Sequence, residues 1–264
     1  MTGEQWDQAL DPSQMLTRPE VAANLRKLRL FVCACCRRIW SLLTEPLWRE
    51  GVAIAERYAD QLAEVDELRK ASEAIEQIER DRVGEEYWTG EVQNPPAAAV
   101  VASLKAGDML NFSFRVGFDG PWQTGRRSES FMAGLGAINA ANSVLRASSV
   151  EGTQPAWGQT EVLRAQLQDG KRTTSAEKAA QAVLLRDIFG DPFRPVAFDP
   201  RWRTADVTEL ARAIYEDRTF DRMPMLADAL MDAGCADEQI IGHCRGDGPH
   251  VRGCWVVDLV LGKE

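Results

Sequence analysis

"LFVCACCRRIW", residues 30–40, sets three cysteines within four positions and follows them with two arginines. Three thiols so close together suit metal ligands, redox groups or small apolar residues in a helix, and the fold follows from which they are. Projected at 100° per residue, Leu28, Val32, Cys35, Ile39, Leu42 and Leu43 fall on one apolar face, with Phe31 and Cys36 at its margins. That places Cys35 and Cys36 in a core, where free cysteine is commonly found. Cys33 falls off the face, near Arg37 and Trp40. Arg37 and Arg38 read as the solvated edge of the helix.

The same period runs through most of the chain. The first helix is expected over 20–43, with Pro19 and Glu20 in its opening turn, and a second over 46–80 with Val52, Ala55, Ala59, Leu62 and Ala63 in phase. A shorter helix is expected at 97–106, and others at 129–148 and 159–168. A strong one covers 175–189, opened by Thr174 with Glu177 as a capping box and stopped by Gly190. "DPFRPVAFDPRW", with its prolines, reads as an ordered loop whose aromatic residues pack against the body. Four short helices complete the chain. They are expected over 206–217 (Asp206 with Glu209 as its box), 223–233 (Pro224 to Gly234), 237–244 (capped by Asp237) and 249–261 (Pro249 to Gly262).

One stretch breaks the rule. In "LNFSFRVGF", Leu110, Phe112, Phe114, Val116 and Phe118 alternate with Asn111, Ser113, Arg115 and Gly117, the period of a half-buried strand. The reading is therefore a mainly all-α protein of packed antiparallel helices with one extended or β segment near 110–118. It is a single helical domain over 1–264, with sub-units at 1–83 (N-terminal helices), 84–170 (variable middle) and 171–264 (C-terminal helices).

Composition narrows the function classes. The net charge is −9, which argues against nucleic acid or an anionic membrane as partner, since both require a positive footprint. No stretch approaches a membrane span of about 18 apolar residues, and the first residues lack the basic and apolar regions of a secretory signal. The chain is expected to be cytoplasmic. Its six cysteines are then reduced rather than paired.

The blocks "KLRLFVCACCRRIW", "VAIAERYAD", "LLRDIFGDPFRPV", "FDRMPMLADALMDAGC" and "HCRGDGPHVRGCWVVDLVLGK" resemble a group of numerous paralogous proteins encoded by planctomycete bacteria. The resemblance covers the N-terminal third and residues from about 183 to 263. It is poor over the middle region. The resemblance carries no function to these residues and implies only that the two ends belong to one recurring unit.

Chemistry-bearing residues gather at the C-terminus. Cys235, His243, Cys244, His250 and Cys254 include both histidines of the chain. On the expected last helix His250 and Cys254 are spaced i, i+4 and share a face, with His243 and Cys244 across the "RGDGP" turn. Together with Cys33 and Cys36 these form a candidate zinc or reactive-thiol set. Its spacing is not that of a common zinc finger, and packing of the cysteines with the histidines at the surface is the competing reading. A Cys–His nucleophile oriented by Asp247 or Asp258 is the enzymatic alternative, but no phosphate-loop, dinucleotide-fold or zinc-protease motif supports it. No cofactor is expected, with zinc the one left open. The preferred reading is a non-catalytic interaction or scaffold protein with an unidentified protein partner, using Phe112, Phe114, Phe118 and Trp122 as its contact surface.

Overall fold

The computed structural model describes residues 1–84, 95–105 and 174–263, and it is all-α: no strand occurs among the described residues. The segment at 110–118, the aromatic residues Phe112, Phe114, Phe118 and Trp122, and the helices expected at 129–148 and 159–168 lie outside the described residues. No helix of the described chain is long and apolar enough to cross a membrane. The chain divides into two compact units, Leu16–Lys178 and Met1–Met15 with Ala179–Glu264.

In the first of these units, α3 (Pro19–Ala22), α4 (Leu25–Arg38), α5 (Pro46–Ala59), α6 (Val65–Val83) and α7 (Pro95–Lys105) follow one another. The helix expected over 20–43 is broken, because the Asn24 side chain accepts the Lys27 amide and starts α4 afresh. The helix expected over 46–80 is also broken. Gln61 takes a φ of 60°, and Glu64 with Glu67 forms a capping box that opens α6. Both breaks are made by side chains that satisfy amides a helix start leaves unpaired.

Helix α7 packs against α4, α5 and α6. Helix α4 is thus covered by α5 as well as α7, and every residue from Leu28 to Cys36 is buried. This corrects the projection that put Cys33 off the core: a helix with neighbours on more than one side buries more than one stripe. The Cys33 thiol lies 4.0 Å from the Val52 carbonyl oxygen. Buried Arg29 donates to the carbonyls of Ser103 (3.3 Å) and Leu104 (2.8 Å), satisfying acceptors at the end of α7.

Arg37 and Arg38 are likewise not a solvated edge. Arg37 donates through Nε and Nη2 to Glu56 at 2.6 and 2.7 Å, and Arg38 to Glu177 at 2.8 Å twice. Both carboxylates are buried.

Gly51 of α5 sits where side chains of α6 and α7 press close to the backbone. A Cβ there would lie 2.8 Å from Val100 Cγ1 and 3.2 Å from Ile75 Cδ1. Gly51→Ala is expected to lower stability by about 1–3 kcal/mol through overpacking, although alanine is the better helix former by about 1 kcal/mol. Urea unfolding measures the balance, and a stabilised variant would show that α7 can move aside.

The second unit contains α1 (Gly3–Gln8) and most of α2 (Pro12–Leu16). It adds the end of α8 (Thr174–Phe189), then α9 (Ala205–Asp217), α10 (Met223–Asp232), α11 (Glu238–Arg245) and α12 (Trp255–Leu261). Val207, Ala211, Ile214, Tyr215, Leu226 and Leu230 pack with Ile240, Cys244, Val256 and Val257. Phe198 and Trp202 of the proline-rich loop lie against this core, edge to face at 5.3 Å, as expected of that segment. Gly190 and Gly234 end their helices at positive φ and Asp237 caps α11. The cap of α9 is Thr204, which accepts the Val207 amide, rather than Asp206.

The last helix differs most from expectation. It starts at Trp255, and Pro249–Gly253 forms a loop in which Gly253 has a φ of 93°. His250 and Cys254 therefore do not share a helix face.

Candidate metal centre

Four side chains nevertheless converge in this unit. Asp187 occupies the last turn of α8, His243 the last turn of α11, His250 the loop that follows, and Cys254 the residue before α12. Each offers one ligand atom, and these atoms all lie within 4.8 Å of one another. His243 Nε2 is 3.2 Å from Asp187 Oδ1 and 3.2 Å from Cys254 Sγ. His250 Nδ1 donates to the same Asp187 oxygen at 2.8 Å, and the Val251 amide donates to Oδ2 at 2.9 Å.

The cluster is enclosed. Side-chain exposure is 4% for Asp187 and 6% for His250, against 19% for His243, and Cys254 is fully buried. His250 Nε2 is buried and has no hydrogen-bond partner among the described residues. A buried polar atom left so costs about 1–3 kcal/mol.

Electrostatics at the cluster act on the carboxylate and the thiol in opposite senses. Burial raises the Asp187 carboxyl, but hydrogen bonds and charge from His243 and His250 outweigh it and hold it below the usual aspartate range. Cys254 is pushed well above the ordinary thiol value, first by burial and then by the Asp187 charge, with the Val256 and Val257 amides acting the other way.

The contacts of His243 suit ligation. A catalytic histidine takes the nucleophile's proton on one ring nitrogen while a carboxylate holds the other. Here thiol and carboxylate both approach Nε2 of His243. Atoms that meet at one point suit a shared cation better than a relay.

Of the residues expected at this site, His243, His250 and Cys254 are brought together and Cys244 is not. Cys244 is a core residue of its unit, its thiol pushed up to about 12 mainly by burial. Cys33 and Cys36 are core residues of the other unit, and neither belongs to the cluster. Asp247 and Asp258 do not belong to it either. Arg245 pairs with Asp228 at 2.6 Å, and the Arg252 guanidinium lies 4.7 Å from the Tyr215 ring centroid.

Asp187 is the member of the cluster that sequence reasoning missed. One signal was present: an acid in the apolar run "VLLRDIFG" at a helix C-terminus opposes the helix dipole, so it requires a compensating partner.

No family model, curated protein or solved structure matches this chain.

Proposed function

We propose that this is a zinc-binding helical scaffold, in which a metal held by Asp187, His243, His250 and Cys254 is structural and the protein's role is non-catalytic. The observation that carries the reading is the convergence of four ligand atoms in a buried cluster. A thiolate with two imidazoles favours zinc over magnesium or calcium, which prefer all-oxygen shells. Four protein ligands complete a tetrahedral shell and leave no position for substrate, as in structural rather than catalytic zinc sites. A zinc thiolate also fits the cytoplasmic location expected from the sequence. The partner is expected to be a protein, since the acidic chain offers no footprint for nucleic acid.

The test is metal analysis of the full chain purified without a histidine tag. Stoichiometric zinc is expected, with its loss in Cys254→Ala and His250→Ala and its retention in Cys36→Ala. Protein that is folded and metal-free after growth and purification in zinc would overturn the reading.

A further inference from the structure

We propose that occupancy of this metal site controls the docking of the N-terminal segment: zinc keeps residues 2–10 seated against the end of α8, and its loss releases them. The proposal rests on the zinc reading above and adds a regulated element to it.

The anchors of the N-terminal segment converge on a short stretch that also contains Asp187. Trp6 is fully buried, and its indole N–H donates to the Gly190 carbonyl at 3.0 Å. Arg186 Nη1 donates to the carbonyls of Trp6 and Ala9 at 2.9 and 3.0 Å, at the end of α1 where backbone acceptors are otherwise left over. Arg194 reaches Asp7 at 3.0 Å, and Phe193 lies beside Gly3, where an added Cβ would sit 3.5 Å away. Asp187 stands between Arg186 and Gly190. The turn that binds metal on one side thus holds the N-terminal segment on the other.

A second path leads from the ligands to the same seat. Cys254 is followed directly by Trp255, whose ring lies 5.1 Å from that of His243. Trp255 also backs Gly190, where an added Cβ would come within 3.2 Å of the ring. The packing runs from the cluster through Trp255 to Gly190, and from the Gly190 carbonyl to Trp6.

The loop that carries the ligands depends on them for its position. Gly246, Gly248 and Gly253 give "GDGPHVRG" a high conformational entropy, and Asp187 receives both the His250 Nδ1–H and the Val251 amide from it. Without a cation, the Asp187 carboxylate and the Cys254 thiol both crowd Nε2 of His243 at 3.2 Å. Release of the loop moves Trp255 and opens the Gly190 seat. Val207, Ala211, Ile214, Leu226 and Leu230 of α9 and α10 share their core with Ile240, Val256 and Val257, which is expected to hold those helices while the loop is released.

The experiment is amide hydrogen exchange of the full chain, zinc-loaded and after chelation, with zinc content measured on the same samples. Chelation is expected to remove the zinc and to lower protection of residues 2–10 and 247–254 by about 5–150-fold, the usual span of coupling between two sites. Residues 205–232 are expected to keep theirs. By reciprocity, Trp6→Ala should weaken zinc binding by the same factor in competition with a chelator, although Trp6 is not a ligand. Zinc that leaves with residues 2–10 still protected overturns the coupling and spares the metal site. Protection lost throughout the unit, or zinc affinity unchanged in Trp6→Ala, likewise overturns the coupling alone. A chain that binds no zinc overturns the site and the coupling together.

Discussion

Raising the pH above about 9 is expected to unfold the 16–178 unit with unusual steepness, because α4 buries three thiols side by side. Cys33, Cys35 and Cys36 are each 0–1% exposed. Burial is the largest cause of the rise in all three, joined by the charge of Glu56 or Glu177 and of neighbouring thiols. The folded state therefore keeps three protons that the unfolded chain gives up near its ordinary thiol value of about 8.5. A raised acid contributes stability that is complete below the unfolded value and declines as pH climbs from there toward the folded value. Each proton retained only in the native state costs about 1.4 kcal/mol per pH unit, so three cost about 4 kcal/mol per unit within that window. Urea unfolding from pH 8 to 10.5 reads this slope. Replacing the three cysteines with alanine or valine lowers stability at pH 7 through cavities or misfit, but it should flatten the alkaline slope. A slope that survives the replacements would assign the alkaline loss to other groups, such as the lysines and tyrosines.

The second large effect is expected from Arg38→Met, at about 3–5 kcal/mol, the usual cost of removing one partner of a buried ion pair. Glu177 is fully buried and Arg38 is 24% exposed, joined by two hydrogen bonds of 2.8 Å. Those hydrogen bonds hold the guanidinium above its usual value against the opposing effect of burial. Removing Arg38 leaves a buried carboxylate without its guanidinium. The double variant Arg38→Met with Glu177→Leu should recover most of the loss, because no charge then remains to be buried. Arg38→Lys should fall between, since an ammonium cannot match the carboxylate with two parallel donors. Equal losses in the single and double variants would show that packing, rather than charge, dominates at this position.

The helical class was legible because it rests on local rules. Apolar spacing, Pro224 in a first turn, Asp237 as a cap and Gly190 as a stop each act within a few residues, and each is found where the sequence put it. Local rules also account for what was missed. Asn24 and the turn at Gln61 split two expected helices because a capping side chain gains an amide hydrogen bond that a periodicity count does not register. Pro249 was read as a helix start, yet the helix begins at Trp255, after the positive-φ Gly253.

His250 and Cys254 were paired in the sequence as neighbours on a helix face, and they do meet, but by a different route. The sequence by itself determined that the chain is mainly helical and placed Cys35 on a buried face, with Cys36 at its margin and still a candidate ligand; the histidines beside cysteines were a candidate set only. Only the tertiary structure decided that "VCACC" is buried on all sides, since that depends on how many helices surround α4. It alone brought Asp187 to His250 from 63 residues away. A ligand set drawn from three helix ends and a loop leaves no spacing to read, because chain folding rather than chain order sets the distances between its atoms.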